Sequence, residues 1–133
     1  MRTAFADTSF YAALVNPRDP YHSVAKRAAR EFRDETFTTE YVLIELGNGL
    51  ARSGDRPLFL SLLATVRADP ATTIIPSGHE VFERGVNLYA QRMDKDWSVT
   101  DCVSFVIMRE RGIIEALTAD HHFEQAGFRI LLR

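Results

Sequence analysis

Four acids in this chain stand in apolar surroundings. Asp7 follows Ala4-Phe5-Ala6, and Glu45 lies inside Val42-Leu43-Ile44-Glu45-Leu46. Asp101 opens Asp101-Cys102-Val103-Ser104-Phe105-Val106, and Asp120 follows Ala116-Leu117-Thr118-Ala119. Burying an unpaired carboxylate is costly, so an acid in such company calls for a specific partner. If the four converge, they raise one another's pKa and cannot all stay ionised without a counter-charge. A divalent cation supplies one, and an oxygen-only donor set selects Mg²⁺ or Mn²⁺ over zinc. The chemistry that suits such a site is phosphodiester hydrolysis. The metal polarises phosphate oxygens and lowers the pKa of bound water, and a second metal would steady the leaving oxygen.

Taken singly, each acid has an ordinary reading. Asp7 would cap the helix after it. Asp101 stands three residues after Ser98 and would be the acid of a capping box. Glu45 would face solvent or pair with an arginine, and Asp120 would be a turn residue accepting backbone N–H bonds. Asp120 is followed by His121 and His122, which raises the alternative of a histidine metal site. A zinc site needs spaced ligands in a tetrahedral set. Adjacent histidines on a turn are expected to point in different directions, and His22 and His79 do not fall in a ligand spacing with them. Asp120 is therefore expected to carry the chemistry of this stretch. Cys102 reads as a small core residue.

The elements that must position these acids alternate between strand and helix. Thr3 to Ala6 reads as a buried strand, with Asp7-Thr8-Ser9 turning into a helix that ends near Asn16-Pro17. His22 to Asp34 reads as a helix and Thr36 to Thr38 as a strand. Thr38 or Thr39 caps a helix expected to reach Gly54. Pro57 to Ala68 is a helix with proline in its first turn, and Thr72 to Ile75 is a strand. Ser77-Gly78-His79-Glu80 has the capping-box form and opens a helix to about Met93. Ser98-Val99-Thr100-Asp101 is a similar start, with a stop at Gly112. Ile113 to Thr118 and Phe128 to Leu132 are the last strands. This alternation predicts an α/β domain of three layers, α/β/α, around a mostly parallel sheet of four to five strands. Parallel sheets bind ligands beyond the carboxyl ends of their strands, where Asp7 and Asp120 fall.

The length of 133 residues suits one compact domain, and 46% hydrophobic residues supply a core. Runs such as Leu58-Phe59-Leu60-Ser61-Leu62-Leu63 are too short to cross a bilayer. The start at Met1-Arg2-Thr3 has no signal-peptide character, and a single cysteine cannot form an internal disulfide. A cytoplasmic protein is the simplest expectation. The formal charge of −2 argues against a large basic nucleic-acid footprint. It is compatible with a grip on a few phosphates through metal ions, which bring their own charge. Lys26, Arg27, Arg30 and Arg33 read as a solvated face offset by Glu31, Asp34 and Glu35, with contact to RNA the alternative. Arg84, Arg92 and Lys95 read as surface residues. Trp97 and Tyr41 read as packing, with base stacking the alternative. The Pro57–Ala68 segment is apolar almost all round, more than one face of a surface helix needs. It sits deep in its own core or is covered by a partner.

Over nearly its whole length the chain resembles a PIN-domain ribonuclease of the VapC-like toxin group. The resemblance rests on Asp7-Thr8-Ser9, Glu45-Leu46, Ser98-Val99-Thr100-Asp101-Cys102-Val103-Ser104, Thr118-Ala119-Asp120-His121-His122-Phe123 and Ala126-Gly127-Phe128. No piece is specific alone; the ordered set is. It implies a Mg²⁺- or Mn²⁺-dependent endoribonuclease spanning residues 1–133 as one domain, with Asp7, Glu45, Asp101 and Asp120 matching the acidic metal site. Ser9 would match a supporting hydroxyl, Thr100 a further one, and Asp96 an auxiliary acid. The resemblance also implies a homodimer held inactive by a cognate antitoxin. A housekeeping RNA-processing nuclease would share the site, and a catalytically silent binding module would share the fold. The presence of all four acids weighs against the silent module. A phosphoryl-transfer domain with Asp7 as nucleophile would carry a second acid two residues on, where Ser9 stands.

Overall fold

The computed structural model describes residues 2–32 and 34–133. Arg33 of the basic run and Met1 lie outside the described residues. The elements follow in order as β1 (Thr3–Ala6), α1 (Thr8–Val15), α2 (His22–Glu31), β2 (Glu35–Thr39), α3 (Glu40–Gly49), α4 (Arg56–Ala68), β3 (Thr72–Ile75), α5 (His79–Gln91), α6 (Val99–Arg111), β4 (Glu115–Leu117), α7 (His121–Gln125) and β5 (Arg129–Ile130).

The five strands form one sheet in the order β3-β2-β1-β4-β5, and every pairing is parallel. Ala4 pairs with Thr36 on one side and Glu115 on the other, so β1 is central. Parallel strands need crossovers, and right-handed ones are the rule. The chain winds from β1 through β2 to β3, then reverses to β4 and β5. Right-handed connections therefore put α1 to α4 over one face and α5 to α7 over the other, which is the expected three-layer arrangement. Ala4, Phe5 and Ala6 are fully buried, as a strand covered on both faces requires. On the α5–α7 side Phe105 packs edge-on against Trp97 at 5.0 Å and against Phe123 at 4.9 Å. Those contacts lock α7 onto α6.

Several expected boundaries move. The third helix ends at Gly49, not Gly54. Gly47 and Gly49 weaken its last turn, and Gly47 is also where α4 comes close. A Cβ there would lie 3.1 Å from Phe59 Cζ. The capping box expected at Ser77 does not form. Gly78 is the N-cap without a side-chain bond, and Ser77 instead gives its N–H and hydroxyl to Glu40 Oε1 at 2.6 and 3.0 Å. The box at Ser98 does form, and Gly112 closes that helix at φ 67°. The stretch after Asp120 is a short helix rather than a turn, with Asp120 as its N-cap.

Trp97 and Tyr41 are used in packing. Trp97 is buried, with Nε1 donating to Gln125, and the Tyr41 hydroxyl bonds Gly78. Arg84 pairs with Glu110 and Arg92 with Asp94. Helix α4 does not lie deep in its own core. Only Val66 is buried, while Leu60 is 62% and Leu58 45% exposed.

Candidate active site

The reversal of strand order falls between β1 and β4, which is where parallel sheets open a crevice at their carboxyl ends. Asp7 leaves the end of β1 and Asp120 follows the end of β4. The backbone N–H of Asp7 still bonds Leu117 O at 3.1 Å, so the two strand ends are stitched side by side. Helix α6 brings Asp101 in from the opposite face of the sheet.

Asp7 is only 4% exposed. Its Oδ2 accepts the Thr118 hydroxyl at 3.0 Å and the Ser9 hydroxyl at 3.4 Å. Those two hydroxyls lie 2.8 Å apart, Ser9 Oγ accepts the Ala119 N–H, and Thr118 Oγ1 accepts the Asp120 N–H at 3.0 Å. Thr118, fully buried, is thus the link between the first acid and the last. The sequence signal for it was a hydroxyl ending an apolar strand two residues before an acid, which is easily read as strand filler.

Asp101 is held at the start of α6 by a reciprocal pair. Its N–H donates to Ser98 Oγ at 2.9 Å, and its Oδ2 accepts the Ser98 N–H at 3.1 Å. The capping role and the cluster role are both present, and neither excludes the other. Asp120 Oδ1 accepts the His122 N–H at 2.9 Å. Glu45 is exposed on α3 and joins the group through Thr8, whose hydroxyl donates to Glu45 Oε1 at 2.5 Å. For the other two candidates no hydrogen bond to these acids is present among the described residues. Thr100 uses its carbonyl to accept Ser104 Oγ, and its hydroxyl bonds none of the acids. Asp96 is exposed in the loop before α6.

Burial pushes the Asp7 carboxyl up to about 7, with the charges of Asp101 and Asp120 adding to it; the Thr8 N–H and the Thr118 hydroxyl pull the other way. Burial also raises Asp101, against the Ser98 N–H, and Asp120 raises it further. These mutual effects show that the three aspartates share one region. No lysine or arginine among the described residues forms an ion pair with any of them. The one basic side chain in contact with Asp101 and Asp120 that is less than half exposed is His122, and buried, mutually repelling carboxylate oxygens with no lysine or arginine beside them are the donor set a hard divalent cation suits. Cys102, next in the chain, is buried, and burial and Asp101 push its thiol up to about 11, which disfavours the thiolate.

The histidines correct one expectation. His121 and His122 do not point apart. Their ring centroids are 4.5 Å from each other, and one donor atom from each lies with an Asp120 oxygen inside a 4.8 Å group. His122 Nδ1 also sits 3.2 Å from Asp101 Oδ2.

A family model for the PIN domain matches residues 4–129. The chain belongs to the PIN-domain family. It is 31% identical over 125 residues to the 23S rRNA-specific endonuclease VapC20 of Mycobacterium tuberculosis, which covers 93% of this chain and 94% of that one. The crystal structure of that protein, described as a Sarcin-Ricin loop cleaving toxin, superposes with a TM-score of 0.86 at 29% identity over 94% of this chain and 95% of the other. The DNA-bound VapBC of Salmonella typhimurium has a TM-score of 0.68 at 14% identity, covering 98% and 97%. FitAcB of Neisseria gonorrhoeae has 0.67 at 17%, covering 96% of each chain. The last two are likenesses of fold. PIN-domain nucleases in general need a divalent metal.

Proposed function

We propose that this chain is a Mg²⁺- or Mn²⁺-dependent endoribonuclease acting as the toxin of a toxin–antitoxin pair. The observation that carries the reading is the gathering of Asp7, Asp101 and Asp120 at the strand-order reversal with no lysine or arginine among the described residues paired to them. In this reading these three acids, with Glu45 at the rim, hold the ion. When bound, the ion supplies Lewis-acid polarisation of the phosphate and charge to balance the transition state.

The chain's own residues prepare that site. Thr118 and Ser9 fix the Asp7 carboxylate, and the Ser98 pair fixes Asp101. Thr8 holds Glu45 at the mouth of a cleft of about 680 Å³ lined also by Asn16, Arg18, Arg52 and Leu58. The guanidinium groups of Arg18 and Arg52 have no partner among the described residues. In this reading they bind RNA phosphates in the cleft that Glu45 also lines. In this reading Glu45, the exposed acid of the set, takes a proton from water entering by this cleft.

The similarity to a 23S rRNA-specific endonuclease makes ribosomal RNA the first substrate to test. For the inhibitory partner, the support is an exposed apolar groove. It is about 680 Å³, lies between α3 and α4, and is lined by Leu43, Ile44, Phe59, Leu60 and Leu63. With α4 so little buried, an antitoxin helix covering it is favoured over a purely internal role. Homodimer formation and a cytoplasmic site of action belong to the same proposal.

The test is cleavage of ribosomal RNA by the purified chain. Cleavage should need Mg²⁺ or Mn²⁺, stop with chelator, and disappear in Asp7→Asn with the fold retained. Production of the chain alone should arrest growth, and co-production of a neighbouring small protein should relieve the arrest. Metal-independent cleavage would sink the enzymatic reading, and unimpaired growth with abundant folded protein would sink the toxin reading.

A further inference from the structure

The second of the two histidines on α7, His122, makes contacts that the acid site does not account for. His122 Nδ1 lies 3.2 Å from Asp101 Oδ2 and 3.4 Å from Asp120 Oδ1, while its backbone N–H donates to that same Asp120 oxygen at 2.9 Å. Both atoms facing Nδ1 are carboxylate oxygens, so in the tautomer with its hydrogen on Nδ1 the ring donates to Asp101. The side chain is four-fifths buried, at 20% exposure. Asp101 and Asp120 come from different elements and from opposite ends of the α6–β4 segment. Their charges oppose one another, and Asp120 raises Asp101. His122 touches both carboxylates, its ring Nδ1 bonding Asp101 Oδ2 and its backbone N–H bonding Asp120 Oδ1, with the ring also 3.4 Å from that Asp120 oxygen.

The local sequence explains how it gets there. Asp120 is the N-cap of α7, and its side chain is occupied by the N–H of the second helical residue. That bond turns the second residue's side chain back over the cap. Phe123, fully buried against Phe105, fixes the rotation of the helix.

We propose that His122 is a positioning residue that ties the Asp101 carboxylate to the Asp120 carboxylate and so presets their spacing for a divalent cation. The proposal rests on the reading of these acids as the metal site. Such outer partners of metal-holding carboxylates commonly set affinity by about 10-fold or more. It predicts a particular pattern of substitution. Asparagine places an N–H close to where Nδ1–H stands and should preserve the bridge; alanine removes it.

The experiment is calorimetric titration of Mn²⁺ into the metal-stripped full chain, its His122→Asn and His122→Ala variants, and Asp7→Asn as a reference. The expected result is a loss of affinity of about 10-fold in His122→Ala, with His122→Asn close to the parent and all variants cooperatively folded. Equal affinity in the folded alanine variant and the parent would overturn the proposal. So would an asparagine variant as weak as the alanine one. Pulsed electron paramagnetic resonance of the bound Mn²⁺ adds a separate readout. A nitrogen coupling that vanishes in His122→Ala would make His122 a ligand and overturn the positioning role. If the parent binds no Mn²⁺ and Asp7→Asn changes nothing, the metal-site reading falls and this proposal with it. If the parent binds and only the alanine variant is unaffected, the metal site stands and His122 alone is misassigned.

Discussion

Asp7 is buried at the end of the central strand, and its proton is the residue-scale consequence that is easiest to measure. In the folded chain the carboxyl loses its proton near pH 7, against an ordinary value of 3.8. Between those values the native state holds a proton that the unfolded state has lost, so stability falls as pH rises through this window. The metal-free protein should therefore melt at a lower temperature at pH 8 than at pH 5. Asp7→Asn should flatten that slope by an amount on the order of a few kcal/mol. An identical slope in the parent and Asp7→Asn would show that Asp7 is not the titrating group. Metal binding must displace the same proton, so Mn²⁺ affinity should rise over this range. Thr118 gives a second test. Thr118→Val keeps the shape but removes the hydroxyl shared by Asp7, Ser9 and the Asp120 N–H. It should cost about 1–3 kcal/mol and lower the cleavage rate. A variant as stable and as active as the parent would show that the hydroxyl network is dispensable.

At the scale of elements, the site depends on where α6 stands. Gly85 is buried against it, and a Cβ at that position would come within 2.5 Å of Val103 Cγ2 and 3.2 Å of its backbone. Gly85→Ala should therefore push α5 from α6 and destabilise the fold by about 1–3 kcal/mol, measured by urea titration. Ser98→Ala should cost about 1 kcal/mol through loss of the cap and lower activity further by freeing Asp101. The elements were legible in the sequence wherever local chemistry acts alone. The start of α6 follows from Ser98 and Asp101, its end from Gly112, and the β1 and β3 limits from apolar runs. The same capping pattern at Ser77 failed because Glu40, far away in sequence, took both donors of that serine. Helix α7 was missed because five residues are too few to show a period. The expectation was a group of four acids, and the structure brings Asp7, Asp101 and Asp120 to one region while Glu45, exposed on α3, bonds Thr8. The roles of Thr118, Thr8 and His122 depend on side-chain directions across elements, which no spacing records. The expectation that His121 and His122 diverge failed for the same reason: the Asp120 cap turns the first turn of α7 back over the acids.

Across the whole molecule, two surface hollows carry the proposed contacts, the cleft at Arg18 and Arg52 and the groove at α3 and α4. Substitutions should separate the two. Leu60→Glu in the groove should abolish capture of a co-produced antitoxin and leave RNA cleavage intact. Arg52→Ala should raise the KM for RNA with kcat little changed. Loss of cleavage in Leu60→Glu would mean that the groove serves substrate rather than a partner. The central claim is that the three aspartates form one metal-dependent nuclease site, and one measurement tests it most directly. The parent, Asp7→Asn and Asp101→Asn, each shown to be folded, are incubated with ribosomal RNA across a Mn²⁺ series. The account predicts cleavage by the parent that rises with Mn²⁺ and no detectable cleavage by either variant at any concentration. Cleavage by both folded variants at the parent's rate would contradict it.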